Sequence, residues 1–232
     1  MQPDLSTVKL SSIINTDVFG MIHSLTSFRP TGATKDYIIL GSDSGRVLVL
    51  EFNPSTNSFI KLHQETCGKS VAGRVVPGQF LATDPKGRAV MIAAMEKSKL
   101  VYILNRDLAG NLKISSPLEA HKSNAIIHHT VGIDVRFKNP LFAALEVNYG
   151  EADQDPSGEA FNSAKKVLLI HFFPINQTKT DSIFWNRCQS MTNPEKFSGP
   201  SGGLICCKDF IIYKHQNDIS FDFNQSSQYF VK

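Results

Sequence analysis

The stretch DYIILGSDSGRVLVLEF, Asp36 to Phe52, decides the fold. Two apolar, β-branched runs, Tyr37 to Leu40 and Val47 to Leu50, flank the turn formers Gly41-Ser42-Asp43-Ser44-Gly45. This is the pattern of a β-hairpin whose short connection places glycine or a small polar residue at positive φ. A second stretch, AVMIAAMEKSKLVYILN from Ala89 to Asn105, repeats the plan. Placing Gly41 on Ala94 and Val47 on Leu100 predicts a repeat of 53 residues.

Self-similarity of that period in a strand-rich chain is the mark of a β-propeller, a ring of small antiparallel sheets. The first blade (residues 19–65) reads as Phe19–Phe28 innermost, Tyr37–Leu40, Val47–Phe52 and Phe59–Gln64 outermost. Pro30, Gly32, Asn53-Pro54 and Asn57 punctuate it for backbone reasons. The second blade (78–119) reads as Gln79–Ala82, Ala89–Ala94, Leu100–Asn105 and a weak Leu112–Ser115. The third (125–190) reads as Ala125–Val135, Leu141–Glu146, Val167–Phe173 and Ile183–Ser190. A partial fourth (200–232) holds the hairpin Leu204–Cys207 and Phe210–Lys214 across Lys208-Asp209, then Ile219–Phe223. The fold class expected is all-β: a WD40-like, partial β-propeller of three complete four-stranded blades and part of a fourth.

The third blade's hairpin is interrupted at 147–165 by an insertion that opens with the acids Glu151, Asp153, Asp155 and Glu159. Too polar to bury itself, it reads as a solvated loop, with helical periodicity only over Glu159 to Lys166. Seven blades of this repeat length need roughly 300 residues, and the chain has 232. The expectation is a small propeller, or a piece of a larger one with an open sheet edge awaiting a partner.

Composition is that of a globular domain: 41% hydrophobic, 19% charged, net charge +3. That charge, without a basic run, gives little electrostatic drive toward nucleic acid, so direct RNA contact is expected to be minor at most. Trp185 is the single tryptophan, which excludes a WD-dipeptide repeat. No run of eighteen apolar residues predicts a membrane span, and MQPDLSTVKLSS does not read as a signal peptide. Cys67, Cys188, Cys206 and Cys207 lack CxxC spacing and are expected as reduced, buried thiols. The acceptor-like Asn176 and Asn224 are then chance matches. A cytosolic or nuclear protein is expected.

Motifs that mimic chemistry each break down. Gly68-Lys69-Ser70 ends like a phosphate loop, but His63 stands where the pattern requires glycine. Asp153, Asp155, Ser157 and Gly158 open like an EF-hand, but Ala164 occupies the place of the bidentate glutamate and Pro156 interrupts the loop. His128 and His129, near Asp134, are strand neighbours facing opposite sides and cannot share a metal. Ser42-Asp43-Ser44-Gly45 resembles a sialidase Asp-box, but Ser44 replaces the second aspartate. No G-x-S-x-G occurs. The residues therefore predict no catalytic group, metal or cofactor. Gly41, Ser42, Asp43 and Gly45 are expected to be structural, fixing hairpin register, because a one-residue slip turns every side chain to the wrong face.

A longer resemblance goes further. HQETCGKSVAGRVVPGQFLATDPKGRAVMIAAMEKSKLVYILNRD, His63 to Asp107, is similar to the N-terminal propeller of the splicing factor 3b subunit 3 family. So are Thr34–Phe52, SSPLEAHK (Ser115–Lys122) and GPSGGLIC (Gly199–Cys206), which together span most of the chain as far as His215. The resemblance implies a nuclear, non-catalytic scaffold of pre-mRNA splicing, part of the spliceosome's U2 snRNP. Its implied partners are the HEAT-repeat subunit and small subunits of the splicing factor 3b complex and U2 snRNP proteins, with no membrane. Related propeller subunits in ubiquitin-ligase and 3′-end-processing complexes, or a propeller enzyme, are the alternatives. Two departures stand out. TNPEKFS, Thr192 to Ser198, is too polar for the apolar strand that the family carries before GPSG, which puts blade four's innermost strand in doubt. The tail after His215 matches nothing.

Overall fold

The computed structural model describes residues 12–18, 20–66, 75–120, 124–133, 139–147, 149, 150, 154–157 and 159 with their side chains. Residues 2–4, 9–11 and 148, and the strands from residue 166 onward, are described by strand path and pairing. Every regular element among these residues is a β-strand. A short hairpin, β1 (Gln2–Asp4) with β2 (Lys9–Ser11), precedes four antiparallel sheets.

The first sheet is β3 (Ile22–Phe28), β4 (Tyr37–Ser42), β5 (Arg46–Asn53) and β6 (Ser58–Thr66) in that order. The second is β7 (Phe80–Thr83), β8 (Ala89–Ala93), β9 (Lys99–Arg106) and β10 (Leu112–Ile114). A further strand, β11 (Leu118–Glu119), also pairs with β9, which the sequence reading did not anticipate. The third comprises β12 (Ala125–Ile133), β13 (Leu141–Asn148), β14 (Lys166–Phe172) and β15 (Gln177–Ser182). The fourth comprises β16 (Cys188–Thr192), β17 (Gly202–Cys207), β18 (Phe210–His215) and β19 (Phe221–Asn224). First strands of consecutive sheets lie side by side, β3 with β7, β7 with β12 and β12 with β16. That is how innermost strands stand around a propeller axis.

Several expectations need correction. The outer strand of the third sheet is Gln177–Ser182, and most of the segment assigned there, Ile183–Ser190, lies beyond it. Its end belongs to β16, the innermost strand of the fourth sheet, paired to β17 with a bulge between Cys188 and Ser190. The fourth sheet is thus four-stranded: the inner strand precedes TNPEKFS instead of lying within it. Polarity excluded the right segment but not the strand. Val147 and Asn148 extend β13, and Lys166 starts β14, so the insertion is shorter than expected and Lys166 is not helical. Strand β3 begins at Ile22 rather than Phe19, because Gly20 takes φ +94°.

The repeat also shifts by one. Gly41 pairs with Val47 and Ala93 with Lys99, an offset of 52, not 53. Faces decide the matter. Tyr37, Ile39, Val47 and Val49 pack from the first sheet onto Val90, Ile92, Tyr102 and Leu104 of the second. Ala89, Met91 and Val101 turn the other way, onto Phe142 of the third. An offset of 52 carries Tyr37, Ile39 and Val49 onto Ala89, Met91 and Val101, preserving the face; 53 would invert every side chain. Alternation of two buried faces explains the near-continuous apolar runs in β4, β5 and β8. Each fully buried Val, Ile or Leu adds roughly 1.5–3 kcal/mol, so the core lies in the seams between sheets.

Candidate interaction site at the inner strands

The turn between β4 and β5 carries the four residues singled out from sequence. The Gly45 N–H donates to the Ser42 carbonyl at 3.0 Å, with Gly45 at φ +69°. Asp43 reaches back to the entry of β3: its N–H donates to the Met21 carbonyl, and its Oδ1 accepts from the Met21 N–H, both at 2.9 Å. Buried Ser42 shares a hydroxyl hydrogen bond with Ser44 at 2.8 Å. Gly41 is pressed on the segment before β7: a Cβ there would stand 2.2 Å from the Gly78 carbonyl oxygen. The structure brings these residues together as one turn set against the second sheet.

The remaining sequence candidates do not assemble. Gly68, Lys69 and Ser70 lie outside the described residues, as do Asp134, Asp153, Gly158 and Ala164. Asp155 Oδ1 accepts from the Ser157 N–H and hydroxyl at 2.9 and 2.6 Å, an ordinary turn closure. His128 is exposed at a β-bulge in β12, and His129 is half-buried. Burial holds the His129 imidazole below its usual pKa. No group of three metal-ligating side chains occurs among the described residues, and no helix there is long and apolar enough to cross a membrane.

What sequence reasoning missed is a polar cavity of about 370 Å³ where three inner strands meet. It is lined by Thr26–Arg29 of the β3 strand and its exit, Leu81–Pro85 around β7, Thr130–Gly132 of β12, and Asp36. At its rim Arg29 grips Asp36 in a two-point pair, Nε to Oδ1 and Nη2 to Oδ2, both 2.6 Å. The hydrogen bond holds the Asp36 carboxyl below the usual carboxylate range and raises the guanidinium. Asp84 is fully buried and occupied by Arg88, whose Nε and Nη2 donate to it at 2.7 and 2.8 Å. Thr26, Ser27, Thr83 and Thr130 add hydroxyl-bearing residues to the lining, beside apolar Phe28, Leu81 and Val131. Thr26 and Thr83 hydroxyls stand 3.5 Å apart. Thr130, only 4% exposed, has a hydroxyl with no hydrogen-bond partner.

A second missed feature ties the sheets on either side of the next seam. Lys99 of β9 and Glu146 of β13, each 2% exposed, form a buried ion pair. Nearby the Tyr149 hydroxyl donates to Glu96, and the Ile127 N–H donates to the Met95 carbonyl at 2.8 Å. Glu146 ends an apolar run and Lys99 starts one, so both look like solvated strand termini in the sequence. With the correct repeat they fall on Ala94 and Val47, and two opposite charges at facing positions would have signalled the pair.

A sheet series of this kind matches a known domain. The family model described as the RSE1/DDB1/CPSF1 first beta-propeller covers residues 2–228. The chain belongs to that family. It is 52% identical, over 94% of its length, to the pre-mRNA-splicing factor RSE1 of Mycosarcoma maydis. Against splicing factor 3B subunit 3 of Danio rerio and of Drosophila melanogaster it is 51% and 48% identical over the same share. It spans only 18–19% of the length of these relatives. Membership accounts for the four-stranded sheets and their common axis.

Proposed function

We propose that the chain serves as a non-catalytic, protein-binding scaffold of pre-mRNA splicing, acting in the nucleus within a splicing factor 3b assembly of the U2 snRNP. One observation carries this reading: identity near 50% across 94% of the chain to proteins named as splicing factors. The site geometry supports it. Charged groups are engaged inside the framework, Asp84 with Arg88 and Lys99 with Glu146, and at the exposed cavity rim, Arg29 with Asp36, which suits rigidity more than turnover. On this reading the partners are the HEAT-repeat subunit and small subunits of the complex. Relatives named for splicing favour this over the ubiquitin-ligase and 3′-end-processing roles.

The test is purification of the full-length protein from nuclear extract at low salt. Recovery of the HEAT-repeat subunit and U2 components in stoichiometric amount is the expected result. Recovery of soluble protein with none of them would overturn the reading.

A further inference from the structure

We propose that Cys188 and Cys207 are a redox-active thiol pair, which closes under mild oxidation to a disulfide across the fourth sheet and fastens its inner strand. Register places the two together. Cys188 opens β16, Cys207 ends β17, and they are partners in the antiparallel ladder between those strands. Residues opposite each other in such a ladder share a face, with Cα atoms about 4.5 or 5.5 Å apart. A disulfide spans Cα separations of about 4.4–6.8 Å, so the strands already stand within bridging reach. Cys206 is placed differently: its ladder partner is Ser190, and it falls on the opposite face from Cys207.

Two further features single the pair out. The chain sets a cation directly beside each cysteine, Arg187 before Cys188 and Lys208 after Cys207. A neighbouring positive charge favours the thiolate, which is the form that reacts. The ladder is also broken beside the pair, where a bulge takes Gln189 out of the pairing between Cys188 and Ser190. The start of β16 is thus joined to β17 through Cys188 alone, and β16 is the strand that meets β12 of the third sheet. A covalent bond there would hold what the ladder holds weakly.

The chemistry balances with a peroxide as oxidant. One thiolate attacks hydrogen peroxide, keeps one oxygen as a sulfenic acid and releases the other as water. The second thiolate attacks that sulfur and expels the sulfenic oxygen as a second water, so two electrons pass from the sulfurs to the peroxide and the two thiol protons leave in the waters. Facing residues in a ladder hold their Cβ atoms about 4.5–5.5 Å apart, wider than the roughly 3.8 Å mean across a disulfide. The bond therefore forms under strain and is readily reduced by a dithiol. In a reducing compartment the thiols are the resting state and the disulfide is a transient modification.

The test uses the full-length protein, reduced, treated with a slight excess of hydrogen peroxide, quenched in acid, alkylated and digested with trypsin. Cleavage after Arg187, Lys196 and Lys208 means that the expected bond joins peptide 188–196 to peptide 197–208. The linked pair should persist in Cys206→Ser, disappear in Cys207→Ser and revert with dithiothreitol. In urea, where register is lost, it should form about tenfold more slowly. Hydrogen exchange over Gln189–Thr192 should slow on oxidation of the parent and of Cys206→Ser. A bond through Cys206 instead, a link that forms as fast in urea as in buffer, or oxidation to sulfinic acids with no link would overturn the pairing. A link that leaves exchange in β16 unchanged would overturn the fastening.

Discussion

The seam between the first and second sheets is built from Tyr37, Ile39, Val47 and Val49 against Val90, Ile92, Tyr102 and Leu104. Next to it, the seam between the second and third sheets has smaller apolar groups, Ala82, Ala89, Met91 and Val101 against Phe142, and encloses the Lys99–Glu146 pair. The positions correspond: Lys99 stands where the first sheet has Val47, and Glu146 where the second has Ala94. One architecture therefore closes equivalent seams by two chemistries. The apolar seam is held in place by the shape of its packing alone, because the hydrophobic effect is non-directional. A buried ion pair is not, because moving either charge strands both. We read the pair as holding the third sheet in register against the second, at a cost in net stability that a pure apolar seam avoids.

Breaking one partner gives the largest expected effect. Glu146→Ala takes its ion-pair carboxylate from buried Lys99 and should lower stability by about 3–5 kcal/mol in urea unfolding. The double change Lys99→Val with Glu146→Ala copies the Val47/Ala94 pair of the neighbouring seam. It should recover most of that loss or exceed the parent. A double variant as unstable as Glu146→Ala would mean that the seams are not interchangeable and that the ion pair is intrinsic to the third sheet.

The apolar seam is better attacked through spacing than through charge. Gly41→Ala puts a methyl 2.2 Å from the Gly78 carbonyl oxygen, against backbone that cannot rotate away. Overpacking of this kind costs about 1–3 kcal/mol. The alanine variant should lower the urea midpoint accordingly, and an unchanged midpoint would show that the two sheets can separate there without penalty.

Within the first sheet, Asp43→Ala removes the carboxylate that accepts from the Met21 N–H. At this exposed turn a loss of about 0.5–1.5 kcal/mol is expected, one hydrogen bond's worth. Met21 and its neighbours should also lose protection in hydrogen exchange, while the second seam keeps its own. Simultaneous loss of protection at Lys99 would contradict independent seams.

Period-two alternation was visible wherever a strand had distinct faces, and the Asp36–Phe52 hairpin set the fold class. Where both faces are buried, as in Ala89–Ala93, the pattern carries no phase, and the repeat could slip from 52 to 53 unnoticed. Cys188–Ser190 reads as part of the third sheet for a related reason: a strand's sequence does not say which neighbour it pairs with. The candidate cavity was not legible, since Thr26, Thr83 and Thr130 lie in separate sheets and only the common axis brings them together.

The smallest effect tests the inner strand of the third sheet by pH, on the face turned away from the ion pair. His129 in β12 is half-buried, and desolvation lowers its pKa from the ordinary 6.5. As pH falls through 6.5 the unfolded chain takes up a proton that the folded chain still refuses. The folded state is thus fully favoured above that pH and loses stability below it, down to the lowered folded value. Between pH 7.5 and 5.5 the parent should lose more stability than a His129→Gln variant, by a fraction of a kcal/mol. An NMR titration should place the His129 midpoint below 6.5. A midpoint at or above that value would mean that solvent reaches the His129 face of this strand more freely than its half-burial implies.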